Sequence, residues 1–536
     1  MKKLLVPSLV IACAIVAAQA QTTFIKADNT TSMNLAPSYT ANTTVPGTLD
    51  TIQVDNTLTT GRSSAIGGNL SVNAITYNAT SQFQITATAG ASLTIGAGGV
   101  TKTGGGNLIF ANAVTLGASQ VWTITASGGG GNLQMNGAFN DGGNTLNVNG
   151  NGTFDLRGNN TFGSNVIIDT AVSVNSASAT VALGGLNTFN ALSIPNGRVQ
   201  VGTIGNFGQA SNAGDGGTNT IISLGSNGAA GIFEYTGTNA STNRTISIDN
   251  RSLNSGGVVV TSSTTTLTIS GNLASNVGTS TSADTGWTFG GAGNLVLSGI
   301  ISDKPDITGK TSVTKSGNGI LTLSGNNTYE GGTTVSVGTL LVNNTSGSGT
   351  GSGAVVVNSG ATLGGNGTIS GATTVGGTIA AGNSIGVLNT GSLTINATGT
   401  LDNELGRSGV TPVSDRVNVT GSVSLESGAN LKLTLYTGLT NPVESDIFFL
   451  ISNDGVDAIS GIFTELNGVA TTLTEGSTFS WNSQSWKITY QADFGTSSFT
   501  GGNDLALQVV PEPTVWALLA LSGTVLMAVR RRRHHS

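Results

Sequence analysis

Histidine is confined to His534 and His535, and the one cysteine, Cys13, lies inside an apolar N-terminal run. A body without either residue can build no Ser/His/Asp or Cys/His nucleophilic site, no thiolate metal site and no internal disulfide. Charge is scarce too, at 9% of the chain, and aromatic residues are 5%. Nothing in the body carries the helical apolar period over the length a soluble helix needs. A mean hydropathy of +0.14 nevertheless makes the chain too apolar for a disordered linker. The bases cluster at the two ends. Setting aside Lys2, Lys3, Arg530–Arg533 and Glu512 leaves residues 21–510 with 14 bases and 25 acids, a net charge of −11. An acidic body argues against nucleic acid as a partner.

What the body has is 80 glycines, abundant Asn, Thr and Ser, and short Val/Ile/Leu segments. The stretch Thr311–Asn343 shows the pattern best, with apolar segments at Ile320–Leu323, Thr333–Val337 and Leu340–Val342 separated by Gly/Asn-rich turns. Its wording recurs. GNGTFDLRGNNTF at Gly150–Phe162 superimposes on GNGILTLSGNNTY at Gly317–Tyr329, VTKTGGGNLIF at Val100–Phe110 echoes VTKSGNGILTL at Val313–Leu323, and GAGNLVLSG stands at Gly291–Gly299.

Short alternating segments follow one another throughout residues 64–405, one face apolar and the other hydroxylated. A lone coil of about 20–25 residues buries too little, at ~1.5–3 kcal/mol per apolar side chain, to offset ~1–2 kcal/mol of backbone entropy per residue. Coils must therefore stack and share one core. Antiparallel sandwiches could use the same strands, but phrase-level repetition and regular Gly/Asn turns favour an all-β fold, a right-handed parallel β-helix. Residues 21–63 are expected to cap its first coil. From 406 to 510 longer segments, Leu431–Tyr436, Asp446–Ser452, Phe479–Trp481, Trp486–Tyr490 and Leu505–Val509, predict an all-β C-terminal cap that buries larger side chains than the coils can.

The ends read as delivery signals. Met1–Lys3, the apolar run Leu4–Ala18 and the small residues Ala18 and Ala20 before Gln21 have the parts of a signal peptide spanning residues 1–20. Val10–Cys13 only loosely imitates a lipoprotein box, because a further apolar stretch follows it. Residues 511–536 contain Pro511, Glu512 and Pro513, an apolar run from Val515 to Val529, and Arg530, Arg531, Arg532 and Arg533. Fifteen helical residues reach about 22 Å, short of a ~30 Å hydrocarbon core, a gap that Trp516 and snorkelling arginines can close.

This block resembles the PEP-CTERM sorting signal. The resemblance implies recognition of Pro511–Pro513 by an exosortase-type membrane enzyme, with Val515–Val529 as a transient inner-membrane anchor and the arginines as a cationic stop. Residues 312–401 in turn look like the autotransporter-associated β-strand repeat, with weaker copies from Val100 and Gly150, and imply a stacking unit without a catalytic site. Autotransporters end in a membrane β-barrel, which this sequence does not show, so self-translocation is not expected.

Isolated Gly/Asp groups at Asn140–Gly143, Gly214–Gly217 and Gly501–Asp504 lack the nine-residue period of calcium-binding repeats and read as turns. Asn-x-Ser/Thr triplets, such as those at Asn29, Asn42, Asn78, Asn151, Asn396 and Asn418, follow from composition. Asp402, Glu404, Arg407, Asp415 and Arg416 read as the turn where coils meet the cap. No catalytic residue, metal ligand or cofactor is expected. The sequence thus points to a non-enzymatic, exported surface or extracellular protein, a structural or adhesive part of the envelope or exopolysaccharide matrix. It would contact an exosortase and either carbohydrate or itself. The alternatives are a carbohydrate-active β-helix enzyme, which needs converging acids in a groove, and an autotransporter-like adhesin without its own barrel.

Overall fold

Period-two alternation becomes strand wherever the turn residues between segments allow it. The computed structural model describes residues 21–511 except 41–43, 60–61, 126–130, 159–165, 170–179, 188–191, 210, 214–220, 226–229, 249–255, 276–283, 305–307 and 455–456. The chain forms two compact units, Met1–Gly163 and Ser164–Ser536. Among the described residues the only helical turn is Ala36–Ser38, and no helix is long and apolar enough to cross a membrane. Val515–Val529 lie outside the described residues.

Among the described residues of the first unit the strands pair in parallel, and one isolated antiparallel bridge joins Lys26 to Tyr39. Phe83, Leu108 and Leu133 stand in register at a step of 25 residues, and Leu133 then meets Phe154. A second ladder runs from Thr23–Ile25 through Thr51–Val54 and Ala74–Tyr77 to Gly99–Lys102, Trp122–Ile124 and Val148–Gly150. The strands from 21–63 are thus already in register with the coils that follow. Trp122 is fully buried among Phe110, Phe139 and Phe154, with ring centroids 6.3, 5.7 and 5.2 Å away. Its Nε1 donates to Gln120 Oε1 at 2.7 Å, and Gln120 Nε2 donates to the Ile95 carbonyl at 2.9 Å.

The second unit stacks the same way. One parallel ladder climbs through Gly231–Tyr235, Gly256–Val260, Thr285–Gly290, Thr311–Lys315, Thr333–Val335, Val355–Val357, Thr373–Val375, Leu393–Ile395 and Val423–Leu425. Another climbs through Thr266–Ile269, Asn294–Leu297, Ile320–Leu323, Thr339–Val342, Thr362–Gly365, Thr378–Ala381, Thr400–Ser408 and Asn430–Leu435. Leu295, Leu297, Leu321, Leu323, Leu340 and Val342 point inward, and the residues between them face out.

Turns explain the glycine and asparagine content. Gly291 and Gly317 adopt φ of 96° and 100° on successive coils, and a Cβ on Gly317 would stand 2.6 Å from the Gly291 carbonyl oxygen. Only glycine fits there. The strand expected at Thr333–Val337 stops at Val335, because Gly338, at φ 76°, turns the chain and leaves Val337 exposed. Asparagine side chains tie each turn to the next: Asn239, Asn272, Asn294, Asn343 and Asn366 accept from the backbone N–H of Thr266, Ile300, Ile320, Asn366 and Val387, at 2.8–3.1 Å.

Near the end of the second unit the pairing reverses. Val387–Thr390, Arg416–Val419 and Ile447–Asn453 are parallel, whereas Asp504–Val510, Gln484–Ala492 and Thr478–Trp481 add antiparallel strands. The expectation that larger side chains are buried here and not in the coils fails. Trp122 and Trp287 are as fully buried in parallel coils as Trp486 is in this sheet, and Trp481 stays half-buried. Facing strands leave an interior wide enough for indole, with Phe289 stacked on Trp287 at 5.8 Å.

Candidate functional site

Outward-facing side chains of the second unit form columns along the stack, because parallel pairing puts the same phase on each coil. One column runs Val296, Thr322, Leu341, Gly364, Ala380. At Gly364 the side chain disappears and at Ala380 it is a methyl, so the sheet face becomes hollow. A Cβ on Gly364 would lie 2.7 Å from the Ala380 carbonyl oxygen, which keeps the spot bare. The hollow measures about 590 Å³ and is open to solvent.

Two structures frame it. Gly365 and Gly382 exchange backbone hydrogen bonds at 2.8 and 2.9 Å, and the loop after Gly382 carries Asn383 to the rim. There Asn343 and Asn383 face each other as an amide pair, each donating to the other at 3.2 and 3.3 Å. At the opposite end lies charge. Asp402 and Glu404 share the outward phase of Thr400–Ser408, and Lys432, paired in register with Asp402, holds its carboxylate at 2.7 Å.

Asp415 arrives by a hairpin. Thr411–Ser414 pairs antiparallel with Leu405–Ser408 through a turn at Gly409, φ 64°. The Asp415 N–H donates to the Glu404 carbonyl, while its carboxylate accepts from the N–H groups of Gly386 and Glu404, both at 2.9 Å. Burial raises its pKa to about 7, the Glu404 and Asp402 charges add to the rise, and the two backbone donors oppose it.

The five charged residues expected to mark one turn therefore divide. Asp402, Glu404 and Asp415 converge on the hollow. Arg407 turns to Asp446 at 3.0 Å, and the Arg416 guanidinium sits 3.8 Å from the centre of the Phe494 ring. Lys432 was missed, since its tie to Asp402 spans one coil of 30 residues and appears only once register is known. The alternation Asp402, Asn403, Glu404 was the available signal.

Of the other expected positions, Gln21 is exposed and its Nε2 donates to Thr51 Oγ1 at 2.8 Å; Pro511 is also exposed. Ala18, Ala20, Glu512, Pro513, Val515, Val529, Arg530, Arg531, Arg532 and Arg533 lie outside the described residues, as do Asn42 and Gly214–Gly217. Asn140 and Asp141 accept from the N–H groups of Gly142 and Gly143 at 2.9 Å, which is turn chemistry. Among the described residues no group of three or more His, Cys, Asp or Glu could hold a metal ion.

A comparison of sequence families adds one match. Residues 313–342 match the passenger-associated-transport-repeat family. The matched stretch covers the strands Ile320–Leu323, Thr333–Val335 and Thr339–Val342 with most of Thr311–Lys315, so the repeat is a stacking unit of the parallel coil, and its Leu341 reaches the edge of the hollow. Autotransporter-associated character is thereby supported for part of the span 312–401. No curated protein matches the chain.

Proposed function

We propose that this is an exported, autotransporter passenger-like β-solenoid that works as a structural or adhesive component of the cell surface or extracellular matrix, without enzymatic activity. The observation that carries the proposal is the passenger-associated repeat at 313–342 lying within a continuous parallel stack. Such stacks are rigid because each coil's backbone bonds are completed by its neighbours. The winding is right-handed, following the general hand of parallel crossovers. Export begins with the signal peptide at residues 1–20. Sorting uses Pro511, Glu512 and Pro513, read by an exosortase-type enzyme while the run from Val515 to Val529 is held in the inner membrane. The acidic body favours self-association or carbohydrate over nucleic acid as the partner.

Intact mass of protein recovered from the cell surface and medium tests this. Loss of residues 1–20 together with everything after about Pro513 is the expected result. Retention of Val515–Ser536 would overturn sorting and leave a tail-anchored protein.

A further inference from the structure

The hollow between Leu341 and Lys432 has the composition of a ligand site, and its chemistry narrows the ligand. Its floor is the apolar strip Leu341, Gly364 and Ala380, and at about 590 Å³ it falls within the size range of small-molecule sites. The strip is flat, because parallel strands supply it and two of its three positions have almost no side chain. It can receive the C–H face of a sugar ring, where a bulkier column would bar it.

The rim supplies fixed polar groups at the edges of that strip. The Asn343 and Asn383 amides are held by each other, and Asn343 Oδ1 is further fixed by the Asn366 N–H at 3.0 Å. The Asp402 carboxylate is fixed by Lys432 at 2.7 Å. Amides and carboxylates set in place on two sides of an apolar floor match the alternating donors and acceptors of vicinal hydroxyls. Glu404 is the remaining carboxylate acceptor, since its carboxylate makes no hydrogen bond within the described residues, while Asp415 spends its carboxylate on two backbone donors.

Competing ligands fit less well. The acids do not gather closely enough for a metal ion. No aromatic side chain lines the hollow, so it offers no stacking platform for a nucleobase. Asp402 and Glu404 outweigh Lys432, and Asp415 adds to them as it ionises above about pH 7, so the hollow repels an anionic polymer. Hydrolysis would need two free carboxyl groups across the scissile bond, and here Asp402 is engaged by Lys432 and Asp415 by the backbone.

We infer that the hollow floored by Leu341, Gly364 and Ala380 and rimmed by Asn343, Asn383, Asp402 and Glu404 binds an uncharged oligosaccharide segment without cleaving it. The inference names the ligand class of the adhesive reading and rests on it. It is tested on the purified chain in solution, so its failure leaves export and sorting, which the mass measurement decides, untouched.

The experiment presents the full chain with immobilised oligomers of glucose, mannose, galactose and N-acetylglucosamine, and with oligogalacturonate. Ala380→Trp fills the floor and Glu404→Ala removes the free acceptor; both positions face outward, so unchanged thermal unfolding serves as the folding control. Binding to at least one neutral oligomer is expected, with a tenfold or greater loss in each variant and little binding of oligogalacturonate. The inference is overturned if no neutral oligomer binds, if both folded variants bind as the parent does, or if oligogalacturonate binds equally well. Release of new reducing ends would replace binding by hydrolysis.

Discussion

Asn327 accepts a hydrogen bond from the Ile301 N–H at 2.8 Å and donates from Nδ2 to the Gly349 carbonyl at 2.6 Å. One buried amide thus joins the coil before it to the coil after it. Asn327→Ala strands both backbone groups, each worth about 1–3 kcal/mol when buried and unpaired. The expected outcome is a loss of about 2–6 kcal/mol of local stability, read as faster amide hydrogen exchange at Ile301. Parent-like protection at Ile301 in the variant would show that the amide bridge does not hold the coils.

Lys315 is buried, and its Nζ donates to the Gly317 carbonyl and, at 3.2 Å, to that of Val337 on the next coil. Lys102, in the echoing phrase, donates to Gly104 at 2.6 Å. Burial lowers both pKa values to about 8 from 10.5. Between those values the unfolded chain holds more protons than the folded one, so stability rises as pH rises through this window. The parent is therefore expected to gain in urea midpoint, relative to a Lys102→Met/Lys315→Met variant, between pH 7.5 and pH 10. A pH-independent gap between the two would contradict the burial cost.

The phase of each strand was legible because a coil has one inside and one outside: Leu321 and Leu323 against Ile320 and Thr322 could be sorted by alternation alone. Register was not. Stacked strands are offset by as little as 16 residues, Gly364 on Ala380, and by as much as 35, Asn430 on Glu465, since turns absorb insertions without disturbing the ladder. The hollow depends on that register. Its bare floor needs Gly364 set against Ala380, and its charged end needs Asp402 set against Lys432. Asp415 joins only through the hairpin at Gly409, where the sequence shows a turn but not its direction.

Trp122 gives the first unit its largest buried side chain, and its indole N–H is satisfied through Gln120. Truncation to alanine removes three ring contacts and opens a cavity that a backbone ladder cannot collapse to fill. Trp122→Ala is expected to cost about 3–5 kcal/mol, and Trp122→Phe distinctly less. Gln120→Ala should fall between a surface change and the tryptophan loss, because it leaves the indole N–H unpaired while the Ile95 carbonyl keeps the Gly117 N–H. Urea unfolding followed by far-ultraviolet circular dichroism ranks the three, and a Trp122→Ala midpoint equal to the parent's would remove the aromatic cluster from any role in the unit's stability.

Asp415 joins the hairpin to the coil through Gly386 and Glu404, and its pKa is raised from 3.8 to about 7. Between those values the folded protein binds the extra proton, so the group's contribution to stability is complete below the unfolded pKa and falls away as pH rises through about 7. Loss of the carboxyl group in Asp415→Ala should therefore destabilise the protein more at pH 4.5 than at pH 7.5. The backbone bonds work in the opposite sense, since they are strongest to the ionised form. If they prevail over burial and the Glu404 and Asp402 charges, the variant will be hurt more at pH 7.5, and Asp415 would then be an ionised fixture of the hairpin. Hydrogen exchange at the Gly386 and Glu404 amides, followed across this range in parent and variant, separates the two cases.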